Sequence, residues 1–495
     1  MPKRLDRLDL SRGPTRREVL RAGAWGAGAL AGAALLGACG KEEAPVPPLA
    51  QGSDPWRRFA GTTINFISEN TAPTAAIAAN LKPFTDLTGI RVQIVNLELS
   101  ALVQRVALDM ASGDAQYQVI YADPYQVLAP YAGGLADLRE FIEDDSYPEL
   151  EGGVEDFIPT QMDAAGRFER ADGPIYALPY DCPTMIWQYR ADLFEKYHDP
   201  MSNDLGFDPT PGADRTWEEY RKIAAWFNDH VDEVKYGTGQ QAKQHDSLQC
   251  DFSNVLWSYG GDYFEGGQKA GLLGTTDPGA SRLREDTAIE AAAFYGDLLK
   301  VAHPGSRTWD WDGVGAALRA KEIAMCPNWH EFAASNEQVL PGKIGYAPLP
   351  KGPARSSDIY GGTGIGIAAN STGAARGAAW LFVNWATSPK TQLANLKSKA
   401  GGGTPTRTSV YELPEVKKAE HRPSALPNML TGPAVSKAWE KDHIGLRPKI
   451  PMWNECDTAI FTSLSKMIAG QQSPKEAMVD TADKFDRVVS RGWFA

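Results

Sequence analysis

Histidine and cysteine are scarce in this chain, with seven of the first and five of the second among 495 residues. Neither type clusters. Cys182, Cys250, Cys326 and Cys456 stand far apart with no Cys-x-x-Cys pair, and no histidines recur at ligand spacing, so the sequence argues against a metal site. His330-Glu331 is half of a zinc-protease motif, but Ala334 stands where the second histidine is needed. The four cysteines leave both disulfides and buried free thiols open. Positive charge is short as well. The formal net charge is −12, and near −16 once the +4 of residues 1–38 is set aside. That excludes the basic footprint a nucleic acid requires and suits anionic lipid poorly. Catalytic signatures are missing in turn. No Gly-x-Ser-x-Gly elbow occurs. Gly361-Gly-Thr-Gly-Ile-Gly366 lacks dinucleotide spacing, and no Lys-Ser/Thr pair follows it for a P-loop. Adjacent tyrosines, which extracellular iron-binding proteins often use, are absent. Only a glycosidase-like carboxylate pair stays open, because 62 acids offer many pairings. No catalytic residue, metal or cofactor is assigned.

What is present begins at the N-terminus. Thr15-Arg16-Arg17-Glu18-Val19-Leu20-Arg21 is a twin-arginine pattern, and an Ala/Gly-rich apolar run, Ala22 to Ala38, follows it up to Cys39. A basic head, a modest apolar core and small residues before a cut describe an export signal over residues 1–38. The run is too short and alanine-rich for a comfortable bilayer span. Cys39 at the cut resembles the lipobox cysteine of bacterial lipoproteins, whose thiol is acylated. Residues 39–54 are polar and proline-rich and read as a tether. The expected location is extracytoplasmic, in the periplasm or at the cell surface, lipid-anchored to the membrane.

The rest is too long for one ordinary core, so two lobes are expected. Strands are predicted at Thr63–Ile67, Ile90–Ile94 and Gln118–Ala122. Helical stretches lie between them, from about Thr74 to Leu87 and from Ser100 to Ser112, the second with Leu102, Val106 and Met110 on one face. Gly89 is placed to close the first in the left-handed conformation. This βαβαβ rhythm predicts a mostly parallel sheet with helices on both faces. Further on, Thr216-Trp-Glu-Glu219 and Ser473-Pro-Lys-Glu476 are capping boxes. The helix after the second carries Met478, Ala482, Phe485 and Val489 as a stripe. Lys343–Pro348 and Ile359–Ala368 read as returns to the first sheet. In Ile175–Tyr197, a strand interrupted by Pro179 and Pro183 runs into a helix, with Tyr180, Asp181 and Cys182 between the prolines.

Fourteen tryptophans and 17 tyrosines remain, several beside acids and glycines at strand ends or in loops. Glu69 and Asn70 follow the first strand, and Asp123 follows the third. Tyr180 and Asp181 lie in the interrupted strand. Trp257 and Tyr259 precede Gly260-Gly261, Trp329 follows an apolar run, and Arg407 closes a Gly-rich loop. In open α/β sheets, ligands bind beyond the carboxyl ends of strands. There an acid accepts two hydroxyl hydrogen bonds and an aromatic face covers the C–H side of a sugar ring. Each residue also has a structural reading. Tryptophans pack cores, Glu69 and Asp123 can cap helices, and Arg407 can form a surface ion pair.

Nine segments in register give the chain a resemblance to the extracellular solute-binding proteins of family 1, the sugar-capturing subunits of ABC importers. Among them are "GPIYALPYDCPTMIWQYRADLFEKY", "RTWEEYRKIA", "FSNVLWSYGGDYF", "KEIAMCPNWHEF", "YGGTGIGIAANS" and "GGGTPTRTSVY". The resemblance covers nearly all of residues 39–495. It implies a periplasmic-binding-protein-like α/β fold: two α/β lobes, hinge crossovers and a central ligand cleft. Lobe one is expected over residues 55–178 and 344–370, lobe two over 179–343 and 371–495. The implied function is capture of a mono- or oligosaccharide and its delivery to ABC permease subunits, by a non-enzymatic monomer. Glu69, Asp123, Tyr180, Asp181, Trp257, Tyr259, Trp329, Gly362 and Arg407 are the candidate cleft residues, Gly362 on the resemblance alone. Two other readings stand beside this one: an exported polysaccharide-active enzyme, and the same fold holding a glycerol phosphodiester, polyamine or peptide.

Overall fold

The computed structural model describes residues 52–400, 402–419 and 426–492. The export signal, Cys39 and nearly all of the tether therefore lie outside the described residues. Eleven strands are described, β1 (Thr63–Glu69), β2 (Arg91–Leu97), β3 (Val119–Ala122), β4 (Ala177–Asp181), β5 (Met185–Arg190), β6 (Tyr236–Thr238), β7 (Ile323–Trp329), β8 (Ile344–Ala347), β9 (Asp358–Ile359), β10 (Thr363–Ile367) and β11 (Ile444–Gly445). The first three form where alternating apolar residues were expected. They pair in parallel, Thr63 opposite Arg91 and Phe66 opposite Val119. The first sheet runs β2-β1-β3-β10-β4, with β10 antiparallel to both neighbours. The predicted helix over 74–87 is instead two, Ala72–Ala79 and Leu81–Thr88, broken at Asn80. Pro83 accounts for the break. It has no N–H to give to Ala79, but it is tolerated in the first turn of a new helix. Gly89 closes that helix at φ 74°, and its N–H donates to the Thr85 carbonyl.

A second sheet runs β6-β7-β5-β8, and β9 and β11 form a short parallel pair. Both capping boxes are formed, Thr216 with Glu219 and Ser473 with Glu476. In the C-terminal helix Pro474–Ser490, Met478, Ala482 and Phe485 are buried as expected, but Val488 is buried more deeply than Val489.

The proline-interrupted segment carries the chain from one sheet to the other. β4 is the edge strand of the first sheet, a position where Pro179 costs no ladder bond. β5 lies inside the second. Cys182–Thr184 forms the passage, and Thr184 bridges Tyr360 on the returning segment, which leads back into β10. Two expectations about partners fail. Lys343–Pro348 does not return to the first sheet, because β8 pairs with β5, Ala347 opposite Trp187. Alternation marks a strand but does not select its neighbour. Residues 371 onward do not all belong to the second lobe either. The helix Gly373–Ala386 packs Trp380, Phe382 and Val383 into the first core, where Phe382 lies 5.5 Å from Phe66 and 5.4 Å from Phe84 between ring centroids. All four described cysteines are buried free thiols. Cys182 packs against Ala164, Tyr360 and Leu446, with its sulfur 3.6 Å from the Pro405 carbonyl oxygen. Among the described residues, no helix is long and apolar enough to cross a membrane.

Candidate functional site

A cavity of about 330 Å³ opens between the two sheets. The first sheet meets it with the ends of β1, β3 and β4, which deliver Glu69, Tyr121, Asp123 and Asp181. The other side supplies Trp329 and Glu331 from the end of β7 and just beyond it. Two helix starts add Asp246 (Asp246–Ser258) and the pair Trp311 and Asp312 (Trp311–Arg319). Arg447 enters from the loop after β11. Strand ends supply acids here because the last residue of a buried strand is the first free to face the cleft.

Asp123 serves two purposes. Its Oδ1 accepts the backbone N–H groups of Tyr125 and Gln126 at 2.8 and 2.7 Å, as the helix-cap reading required. Its Oδ2 faces Arg447 at 3.7 Å. Arg447 is also 3.4 Å from Asp246 and lies 4.2 Å from the centroid of the Tyr125 ring. Thr363 Oγ1 donates to the Tyr121 hydroxyl at 2.9 Å, and Tyr121 in turn hydrogen-bonds Glu69. Asp181 Oδ1 accepts the Thr404 N–H at 2.6 Å, and its carboxyl faces that of Glu331.

Burial governs the protonation of these acids, because removal from water penalises the charged form. It pushes Glu69 up to about 8, against the lowering bond from Tyr121. It pushes Asp181 up to about 6. Glu331 is raised well above the ordinary carboxyl range, first by burial and then by the negative charge of Asp181. Asp123 is raised by burial and partly restored by Arg447.

Of the nine candidate residues, Glu69, Asp123, Asp181 and Trp329 line the cavity. Tyr180 lies behind its wall, buried, with its hydroxyl 3.4 Å from Thr74 Oγ1. Gly362 is not among the residues that line the cavity, and a Cβ there would collide with the Tyr360 hydroxyl. Its neighbour Gly361 lines the cavity instead, and a Cβ on it would fall 2.6 Å from the Trp329 ring. Three candidates lie elsewhere. Trp257 is buried in the second core, its indole N–H 3.4 Å from Asp262. Tyr259 packs on Phe294 at 5.5 Å. Arg407 is fully buried against Phe157, its Cζ 3.6 Å from the ring centroid, and donates to the carbonyls of Glu151, Gly153 and Thr387. It staples loops together.

Tyr121, Asp246, Trp311, Asp312, Glu331 and Arg447 were not anticipated. Tyr121 was within reach of the sequence, since it lies two residues before Asp123 on the same strand face. Arg447 carries no local signal.

A family model described as bacterial extracellular solute-binding protein matches residues 79–424. A probable amino-acid ABC transporter periplasmic-binding protein of Sinorhizobium fredii is 23% identical over 448 residues, covering 88% of this chain and 91% of its own. The erythritol/L-threitol-binding protein of Mycolicibacterium smegmatis is 23% identical over 437 residues, covering 83% and 85%. Among solved structures, maltose-bound T. maritima MalE3 aligns with a TM-score of 0.69 at 24% identity, covering 86% of this chain and all of that one.

Proposed function

We propose that the solute held in this cleft is a carbohydrate or polyol, on the premise that the chain belongs to the bacterial extracellular solute-binding protein family. One observation carries the reading. The cavity is lined from both sheets at once, and its walls combine six carboxyl side chains with the Trp329 and Trp311 rings. Acids accept hydroxyl hydrogens in pairs while indole faces cover C–H surface, which is the chemistry of a polyhydroxylated ring or chain. The erythritol/L-threitol-binding relative supports the polyol end of the range, and the maltose-bound neighbour the sugar end.

An amino acid is the second reading, favoured by the name of the Sinorhizobium relative. It meets a difficulty at Arg447. Among the described residues, the one guanidinium lining the cavity, that of Arg447, already bridges Asp123 and Asp246, and so is not free to receive an α-carboxylate. A thermal-shift screen across sugars, polyols, amino acids, amines and phosphodiesters decides between these classes. Stabilisation by amino acids alone would overturn the carbohydrate reading.

The protein acts by binding, without turnover, and hands its solute to the transmembrane subunits of an ABC importer. Incubation with oligosaccharides should return them intact, and hydrolysis products would show an enzyme instead. The two sheets with their cores are the two lobes, joined where β4 passes to β5, where Tyr360 leads back to β10, and where the chain passes to the second core between Ala386 and Ile450. The helix Gly373–Ala386 moves to lobe one in this division. Residues 1–38 direct export, and acylated Cys39 holds the protein at the membrane. Cys39→Ser should release it into the soluble fraction, and retention at the membrane would remove the lipid anchor.

A further inference from the structure

Six carboxyl side chains line the cavity and one guanidinium faces them. Three of the six have an evident structural account. Asp123 caps backbone N–H groups and pairs with Arg447. Asp246 pairs with the same arginine and sits in the first turn of its helix, where the helix dipole favours a negative charge. Asp312 likewise lies in the first turn of Trp311–Arg319.

Glu69, Asp181 and Glu331 have hydrogen bonds but, among the described residues, no cationic partner: Asp181 accepts the Thr404 N–H, Glu69 is bonded by Tyr121, and Glu331 faces Asp181. Among the described residues, none of the three has a lysine, arginine or histidine within ion-pair distance. Glu69 is 7% exposed and Asp181 1%. Glu331 Oε1 is shielded from water and has no hydrogen-bond partner. The indole of Trp329, two residues before Glu331, borders the same space. Burial holds Glu69 protonated near neutrality, but the facing Asp181 and Glu331 carboxyls, sharing one proton, leave one negative charge with no cation beside it, which is costly. Among the described residues, no group of acids and histidines is arranged to hold a metal ion. The missing charge therefore falls to the solute.

We propose that the solute of this cleft carries an ammonium group, seated between Glu331, Asp181 and Glu69 against the face of Trp329. The inference rests on the carbohydrate reading, and within it names an amino sugar or amino polyol. An ammonium offers three N–H donors to three carboxyl groups, and its charge is attracted to the indole face. Without solute, Asp181 and Glu331 face each other and hold a proton between them, since two adjacent carboxylates resist joint ionisation. When the ammonium enters, its single positive charge balances the single negative charge of the pair, which keeps its shared proton.

The groups that bear on this charge balance come from several elements. Glu69 feels Tyr121, Asp123, Asp246 and Arg447. Asp181 accepts the Thr404 N–H and adjoins the buried Tyr180 hydroxyl and Cys182 thiol. All of these but Arg447 are neutral or negative, so none substitutes for the ammonium, and Arg447 is engaged by Asp123 and Asp246.

Matched pairs test the proposal: glucamine against sorbitol, and glucosamine against glucose, with putrescine as an amine without hydroxyls. Isothermal titration at pH 7 reads the affinity of each member. The expected result is at least a tenfold preference for the amino member of a pair. In Glu331→Gln, whose melting temperature serves as the folding control, that preference should shrink about tenfold. Asp181→Asn offers the same readout should Glu331→Gln not fold. Equal or tighter binding of the neutral members, or no preference in any pair, overturns the ammonium and leaves the carbohydrate reading standing. Binding of putrescine with neither polyol nor sugar supports the ammonium and overturns the carbohydrate reading.

Discussion

Trp257 and Trp329 look equivalent in the sequence, each following an apolar stretch and lying near a strand or helix end. Their surroundings differ. Trp257 is sealed in the second core with its edge toward Tyr263, whereas Trp329 meets the cavity. Trp257→Ala should cost about 3–5 kcal/mol of stability, as large-to-small core changes do, and leave the affinity of the folded fraction unchanged. Trp329 belongs to the same core at 8% exposure but also borders the cavity, so Trp329→Ala should cost about 1–3 kcal/mol of binding in addition to a loss of stability. Calorimetry and chemical denaturation on both variants separate the two, and a loss of affinity in Trp257→Ala alone would reverse the assignment. Glu69 gives a pH signature at the same scale. Its carboxyl is raised from 4.5 to about 8 in the folded state. The folded protein thus holds a proton that the unfolded chain releases, and this contribution to stability is full below 4.5 and is lost as pH rises through about 8. Asp181 acts in the same direction between 3.8 and about 6. Glu69→Gln should therefore gain on the wild type as pH rises, by about 2 kcal/mol at pH 8.5 once discounted for the solvent in the cleft. Melts from pH 5 to 8.5 check it, and parallel curves for the two proteins would show that Glu69 titrates normally.

The passage from β4 to β5 and the return through Tyr360 to β10 set the cavity's shape at the scale of elements. Gly361, on the return, lies so close to Trp329 that a methyl group would fall 2.6 Å from the indole and 3.3 Å from Pro183 Cγ. Gly361→Ala must displace the ring or the crossover, and the ring is easier to move. Affinity should fall about tenfold, roughly 1.4 kcal/mol, with the fold retained by circular dichroism. Unchanged affinity would mean that the Trp329 face does not meet solute. These elements also explain how much of the site was legible. Glu69, Asp123 and Asp181 were readable because an acid directly at a strand's end can only cap the next turn or face the cleft, and Asp123 does both. Trp257 and Arg407 misled because aromatic and charged residues in glycine-rich surroundings serve packing as readily as binding. Arg447 and Glu331 were silent, since their roles come from the approach of segments far apart in the chain, which no local pattern records.

For the whole molecule, the alternating strands, the capping boxes and the crossing between sheets followed from periodicity and proline placement. Strand partners did not, as the pairing of β8 with β5 and the burial of Gly373–Ala386 against the first sheet show. Pairing is decided by the competition of whole surfaces, and a single strand carries little of that information. Two sheets joined by three crossings, the third between Ala386 and Ile450, with a cavity between them, also have a mechanical consequence. A solute that touches Glu69 and Asp181 on one side and Trp329 and Glu331 on the other binds the closed arrangement better than any open one. It must then shift the population toward closure by the difference in contacts. At a hundred times its dissociation constant such a solute adds about 2.7 kcal/mol to stability, so melting temperature should climb with the logarithm of its concentration. Small-angle scattering on the same samples should show the radius of gyration falling as melting temperature rises. If melting rises while the radius stays constant, the cleft binds solute in a fixed geometry. The crossings are then struts rather than hinges, and the permease must recognise the occupied protein by some signal other than closure.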